Sequence, residues 1–374
     1  MPENIKSLAI LSLVRIADSF GALLISFVIA AMPLDNHQAG VLASIALAGM
    51  FFGAPIMGRL ADALGRRIAI ALSLSIYSIF TLLAFRFNSY IELLVLRFLA
   101  GFGIGGVLPT ASTAFIELAP VERRGFYVSV FESMRAIGSL IVALTARYTL
   151  ESLGRRYLFL IGAFPIVLVP LVLSLEESRY YKARKRVKLE GIYRITLLVA
   201  IIRFSLAFSY YGRTLRTPRY LRTIGFSLKA SSDFLIYASL AMIAGYYLNA
   251  LIVDSLGRRK LLALYSAIAG IALILFDLTL GNLLVDALIF AAFNAAARCV
   301  AYTYTPELYP TYIRGTAMGV AGAIARIGGL SGPIVLGRYN SFIPLAISLF
   351  IASLAAREIG IETAGKELKR GFFE

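Results

Sequence analysis

Twelve apolar runs, each about as long as a bilayer is thick, constrain this chain more than any other feature. A helix needs about 20 mostly apolar residues to cross the hydrocarbon core. Such runs fall at roughly 8–31, 38–58, 68–86, 92–115, 126–147 and 157–175, and again at roughly 192–212, 233–253, 260–278, 283–304, 316–337 and 341–357. A helix satisfies its own backbone groups in lipid, so an all-α membrane protein of twelve spanning helices is expected. Composition agrees. Hydrophobic residues make up 59% of the 374, mean hydropathy is +0.80, and only 16% are charged, against about 25% in soluble domains. Twelve helices consume about 240 residues, which leaves short loops and no room for a further soluble domain. The first run exceeds the length of a signal-peptide core, so no cleavable signal is read there.

The same composition excludes several kinds of chemistry. Cys299 is the single cysteine and His37 the single histidine. A disulfide framework, a cysteine-built zinc site and a histidine-based active centre are therefore not expected, and no cofactor is read. Cys299 sits in an apolar stretch and reads as a buried inert thiol. The net charge is +16, but the basic residues fall mostly between apolar runs. That pattern fits loops that set topology at anionic headgroups, so the partner is a lipid bilayer and not nucleic acid.

The chain also repeats itself. D-x-L-G-R-R occurs at Asp62 and at Asp254, an offset of 192, and E-x6-R-G occurs from Glu117 to Arg124 and from Glu307 to Arg314, an offset of 190. A weaker third pair is Glu177 in EESR and Glu362 in IETAGKEL. Ordered pairs at one long period predict two duplicated six-helix bundles, 1–175 and 192–374, joined by a hydrophilic linker at 176–191. The basic clusters Arg66, Arg67, Arg123, Arg124, Arg258, Arg259 and Lys260 mark one face as cytoplasmic, with both termini on it. Asp62, Arg66, Arg67, Glu117, Arg124, Glu177, Asp254, Arg258, Arg259, Glu307 and Arg314 are expected to form a salt-bridge layer there. Such a latch biases one state by about 1–3 kcal/mol.

These motifs resemble those of the major facilitator superfamily, over nearly the whole chain. GRLADALGRR from Gly58 is similar to that family's loop between helices 2 and 3. RFLAGFGIGG from Arg97, with ELAPVERRG from Glu117, resembles the helix-4 pattern of its sugar-porter-like branch. EESRYY and IETAGKEL resemble two further motifs of that branch imperfectly. YTPELYPTYIRGTAMG from Tyr304, ARIGGLSGP from Ala325 and FSYYG from Phe208 are similar to the organic cation/anion transporters and aromatic-acid:proton symporters. The resemblance implies a secondary transporter in the cell membrane, not an enzyme, working as a monomer by alternating access. Its energy source would be a proton gradient. Gln38 is the only glutamine, so the glutamine-rich seventh helix of sugar porters is absent.

Ionisable residues deep in a span are functional candidates, because each costs about 2.5–3.5 kcal/mol to insert. They are Asp18, Arg97, Glu132, Arg135, Arg203, Arg298 and Arg326. The resemblance implies that Asp18 accepts the proton with Arg97 as its partner; a static ion pair between the first and fourth spans is the alternative. Glu132 and Arg135 share a helix face at i,i+3, so Glu132 either couples a second proton, binds substrate or pairs with Arg135. Arg326 is implied in anion recognition, for which a guanidinium fork suits a carboxylate. Arg203 and Arg298 either line the site, snorkel or pair with an acid. Tyr210 either lines an outer pocket or belongs to the interface, and Tyr211 reads as interfacial. Arg213, Arg216, Arg219, Arg222 and Lys229 are expected in an outer loop. The excess of arginine over acid points to an anionic small-molecule substrate, a carboxylate above all. A sugar or polyol and inorganic phosphate are the alternative cargoes.

Overall fold

A computed structural model of the chain describes residues 5–366 apart from 31, 35, 153, 178–191, 224–227, 279–282 and 340. Most of the expected linker lies outside these residues. Helices form on the apolar runs, and most extend past them. The first half contains α1 (Ile5–Ala30), α2 (Asn36–Leu64), α3 (Arg66–Leu83), α4 (Tyr90–Leu118) and α5 (Arg124–Ser152). Its sixth run is broken into α6 (Arg155–Gly162) and α7 (Leu168–Leu173), with a 3₁₀ segment at Phe164–Val167 between them. Pro165 stands at the start of that segment and lacks the N–H that a continuous helix would need. The second half contains α8 (Ile192–Thr223), α9 (Leu228–Leu256), α10 (Arg258–Leu278), α11 (Leu283–Glu307), α12 (Arg314–Tyr339) and α13 (Ile343–Glu358).

Among the described residues, eleven stretches are long and apolar enough to cross a membrane, with α6 and α7 acting together as one. The twelfth expected run is α13, whose 16 residues reach only about 24 Å. The outer loop expected after the seventh run is corrected. Helix α8 continues to Thr223 and α9 begins at Leu228. Arg213 is buried within α8, with its guanidinium 5.2 Å from the Phe290 ring centre and 5.8 Å from that of Phe276. The apolar rings around it and the long aliphatic stem make burial tolerable where a loop cation was expected.

The apolar core divides by halves. One cluster runs from Ile192 to Ile359. Two others lie within residues 8–175, one around Leu11, Leu74 and Phe115 and one around Leu24, Leu93 and Phe159. A small fourth cluster joins Leu108 of α4 to Tyr302 and Met318 of α11 and α12. Large apolar side chains such as Ile91, Leu251 and Ile334 point outward, as lipid contact requires.

Two backbone devices bring the functional layer together. Gly65 and Gly257 precede α3 and α10 with φ of 104° and 91°, left-handed values that permit a turn without a connecting loop. Between the halves, α2 lies so close to α12 that a Cβ at Gly58 would sit 2.2 Å from the Gly315 carbonyl oxygen. Small residues allow that approach.

Candidate functional site

The basic face carries two copies of one network. The Asp62 carboxylate accepts from the backbone N–H groups of Gly315 and Thr316 at 2.9 and 2.7 Å, and from the Thr316 hydroxyl at 2.7 Å. The Asp254 carboxylate accepts from the N–H groups of Gly125 and Phe126, both at 2.9 Å. Each aspartate thus caps the first turn of a helix in the opposite half, where N–H groups lack intrahelical partners and the dipole favours an anion. Each also holds the arginine four residues on, Arg66 at 2.8 Å and Arg258 at 2.7 Å.

The glutamates behind them complete the pattern. Glu117 accepts from Arg66 of its own half at 3.1 Å and from Arg314 of the other half at 2.7 Å. Glu307 lies 3.4 Å from Arg258 of its own half and accepts from Arg124 of the other at 3.1 Å. All six side chains are buried. Glu177 accepts from the N–H of Arg66 at 2.7 Å, and Glu362 from those of Arg258 and Arg259 at 2.8 and 3.1 Å. Two expected members contribute less than the rest. The Arg67 side chain is 44% exposed and 3.9 Å from Glu177, and Arg259 enters through its backbone. The layer holds the two halves together at this face.

Deeper in the bundle the expected pairings are corrected. Asp18 is bonded by Arg15, one turn earlier on α1, and not by Arg97. Arg15 also donates to Glu132 of α5 at 2.9 Å. Arg97 instead donates to Thr81 Oγ1 at 3.1 Å and lies over the Phe159 ring at 4.9 Å. It pins α4 to α3 and α6. Glu132 is likewise held by Arg15 rather than by Arg135, whose guanidinium points across to the Tyr210 ring at 5.3 Å. Arg15, missed in the sequence, is fully buried and serves two carboxylates. Its i,i+3 spacing to Asp18 was the available signal. One oxygen of each carboxylate, Asp18 Oδ1 and Glu132 Oε1, is buried without a hydrogen-bond partner.

Beside this triad lies a small space walled by Arg135, Arg203, Arg298, Arg326, Tyr211 and Tyr302, among others. Both halves contribute, since Arg135 belongs to α5. Arg203 stacks over the Tyr302 ring at 3.8 Å, and Arg298 lies over the Tyr210 ring at 4.2 Å. Tyrosine rings offer these cations a quadrupole but no neutralising charge. Arg203 Nε, Arg298 Nη1 and Arg326 Nε have no hydrogen-bond partner. Tyr211 faces the space and not the membrane interface, because α8 extends three turns beyond it. Among the described residues no acidic side chain lines the space. Buried donors of one sign are satisfied by acceptors that carry the opposite charge. Cys299 is buried beside Ser129, with its thiol 3.4 Å from the Ser129 hydroxyl. No group of three or more metal-ligating side chains forms among the described residues.

The pattern of the Major Facilitator Superfamily matches residues 7–355. A Bacillus subtilis (strain 168) protein described as a niacin/nicotinamide transporter is 33% identical over 98% of this chain and 96% of its own length. A niacin transporter of Acinetobacter baylyi is 29% identical over 90% of this chain and 88% of its own. Among solved structures, a proton:xylose symporter bound to 6-bromo-6-deoxy-D-glucose superposes with a TM-score of 0.78, covering 98% of this chain and 97% of that one at 20% identity.

Proposed function

Because the chain belongs to the major facilitator superfamily, we propose that this membrane transporter moves a small organic carboxylate by proton-coupled symport. One observation carries the cargo: Arg135, Arg203, Arg298 and Arg326 converge on one space that no acid lines among the described residues. A carboxylate entering it supplies the acceptors that the unpartnered guanidinium nitrogens lack. A sugar would leave these charges unneutralised. Niacin, carried by the Acinetobacter relative, is itself an aromatic carboxylate.

The proton is assigned to the triad beside that space. Arg15 is hydrogen-bonded to two buried carboxylates, Asp18 and Glu132. One cation cannot neutralise both, and a proton on either restores balance. The two carboxylates stand on α1 and α5, and Asp18 also lies in the field of Arg135 and Arg326. Proton and anion therefore act on one electrostatic cluster, which couples their occupancy. The basic-face layer latches one access state, and its release lets the bundles 1–175 and 192–374 rock about the central site. The basic face is assigned to the cytoplasm by its charge.

Purified protein in proteoliposomes tests this reading. An inward proton gradient is expected to drive accumulation of labelled nicotinate. Asp18→Asn is expected to abolish accumulation while leaving exchange of labelled for unlabelled nicotinate measurable. Gradient-driven accumulation by Asp18→Asn would remove the proton assignment. Absence of carboxylate uptake by the wild type in either assay would remove the cargo assignment.

A further inference from the structure

The Arg15–Asp18–Glu132 triad stands wholly on α1 and α5 of the first half, while Arg203, Arg298 and Arg326 stand on α8, α11 and α12 of the second. Coupled movement of the halves requires a group of the second half that responds to the proton. The antiparallel seam of α5 and α9 presents one. From the basic face inward, α5 carries Gly125, Ser129 and Glu132 at steps of four and three residues, and α9 carries Asp254, Asn249 and Tyr246 at steps of five and three. These spacings keep each set on one helix face and set three rungs at matching heights. The first rung is closed by the Asp254 carboxylate, which accepts from the N–H of Gly125 at 2.9 Å. The second is closed by the Asn249 amide, which donates to the Ser129 hydroxyl at 2.9 Å. At the third, Tyr246 and Glu132 are both buried, and the Tyr246 hydroxyl and Glu132 Oε1 both lack a hydrogen-bond partner. Tyr246 lies in the field of Glu132 and of Arg15.

We infer that Tyr246 is the residue through which the second half registers the proton on Glu132. The inference rests on the proton reading above and adds the group that transmits it. Arg15 holds Glu132 Oε2, so a proton arriving from outside adds to Oε1. An ionised Glu132 accepts a charge-assisted bond from the Tyr246 hydroxyl, which keeps its own proton throughout. A protonated Glu132 offers only a weaker neutral bond. The third rung therefore tightens when Glu132 is ionised and loosens when it is protonated. The sign suits symport. Loosening lets the loaded, protonated carrier part α9 from α5 towards the basic face. Loss of the proton there re-forms the rung and draws the seam shut. In this structure the third rung is open and the first two are closed, the arrangement that follows arrival of a proton and precedes release of the layer.

The other charged and titratable groups around the pair already have partners. Asp18 is bonded to Arg15, Arg135 and Arg298 lie against the Tyr210 ring, Tyr302 lies under Arg203, and the Cys299 thiol is 3.4 Å from the Ser129 hydroxyl. Tyr246 is the group of α9 whose polar atom is left to switch. The seam of α2 and α12 is built differently. There backbone meets backbone, and a Cβ at Gly319 would sit 2.3 Å from the Ala54 carbonyl oxygen. Contact that close leaves no room for a side chain to change partners.

The test uses the full chain in proteoliposomes with labelled nicotinate. Tyr246→Phe removes only the hydroxyl. Its gradient-driven accumulation ratio is expected to fall about 10-fold, within the usual range for coupling between two sites. Exchange of labelled for unlabelled nicotinate proceeds with the proton bound, so it is expected to stay within about 2-fold of the wild type. In a Glu132→Gln background, whose side chain does not ionise, Tyr246→Phe is expected to add no further loss. Full accumulation by Tyr246→Phe overturns the inference. So does an equal fall in accumulation and exchange, which would make Tyr246 part of the cargo site or of the packing. A wild type that exchanges nicotinate but does not accumulate it overturns the proton reading itself. Should Tyr246→Phe fail to fold, the infrared C–O band of tyrosine is followed while the protein is acidified. A shift in the wild type that is lost in Glu132→Gln is expected, and a band indifferent to that substitution overturns the inference.

Discussion

The basic-face layer and the central cavity are both built on buried arginines, and they treat them in opposite ways. In the layer, Arg66, Arg124, Arg258 and Arg314 each meet at least one carboxylate, and each glutamate serves one arginine from either half. In the cavity, Arg135, Arg203 and Arg298 face tyrosine rings, and no carboxylate lines the space among the described residues. Breaking a paired buried charge is costly, whereas an unpaired one is already carrying its cost. The layer therefore spends its charges on holding a conformation. Among the described residues the cavity arginines have no carboxylate in the wall they share.

Three substitutions sharpen or break that contrast. The largest effect is expected at Glu117. Glu117→Gln leaves Arg66 and Arg314 buried against a neutral amide, at a cost of about 3–5 kcal/mol. A marked fall in the thermal unfolding temperature and easier access of polar reagents to the cavity from the basic face are expected. An unaltered unfolding temperature would show that the layer does not hold the halves. Next comes Arg326→Met, which removes a cavity cation and should cut carboxylate uptake about 100-fold, equivalent to about 2.7 kcal/mol, while leaving the unfolding temperature equal or higher. If it destabilises the protein as Glu117→Gln does, the cavity arginines are structural and the contrast fails. The smallest effect is expected at Arg67. Its side chain is half-exposed and distant from Glu177, so Arg67→Ala should change stability by at most about 0.5 kcal/mol. A larger loss would extend the layer to the surface.

Much of the layer was legible in the chain. Asp62 and Asp254 recur in the same D-x-L-G-R-R motif, Glu117 and Glu307 recur in E-x6-R-G, and the structure gives both copies equivalent partners. The cavity was legible only as a set of residues. Arg135, Arg203, Arg298 and Arg326 stood out because each interrupts an apolar run, but nothing local said that they share a wall. Spacing alone also misled. Glu132 and Arg135 stand at i,i+3, as Arg15 and Asp18 do, yet only the second pair forms. Side-chain direction depends on what the helix packs against, and Tyr210 of α8 draws Arg135 away. Arg97 failed for a related reason: its guanidinium donates to Thr81 and lies over the Phe159 ring. Arg213 was read as a loop cation because the apolar run ends beside it, but α8 carries it back among aromatic rings.

By itself the sequence determined the spans, their number to within the short α13, the duplication and the residues of the basic layer. These depend on contiguous apolar length and on repeated local motifs, where the cost of exposing backbone to lipid leaves one solution. Only the tertiary structure decided which charge meets which. Arg15 and Glu132 are 117 residues apart, and Arg314 and Glu117 are 197 apart. Their meeting depends on how each helix is rotated about its axis and how closely its small residues let it approach its neighbours. A one-dimensional pattern carries neither quantity for partners so remote.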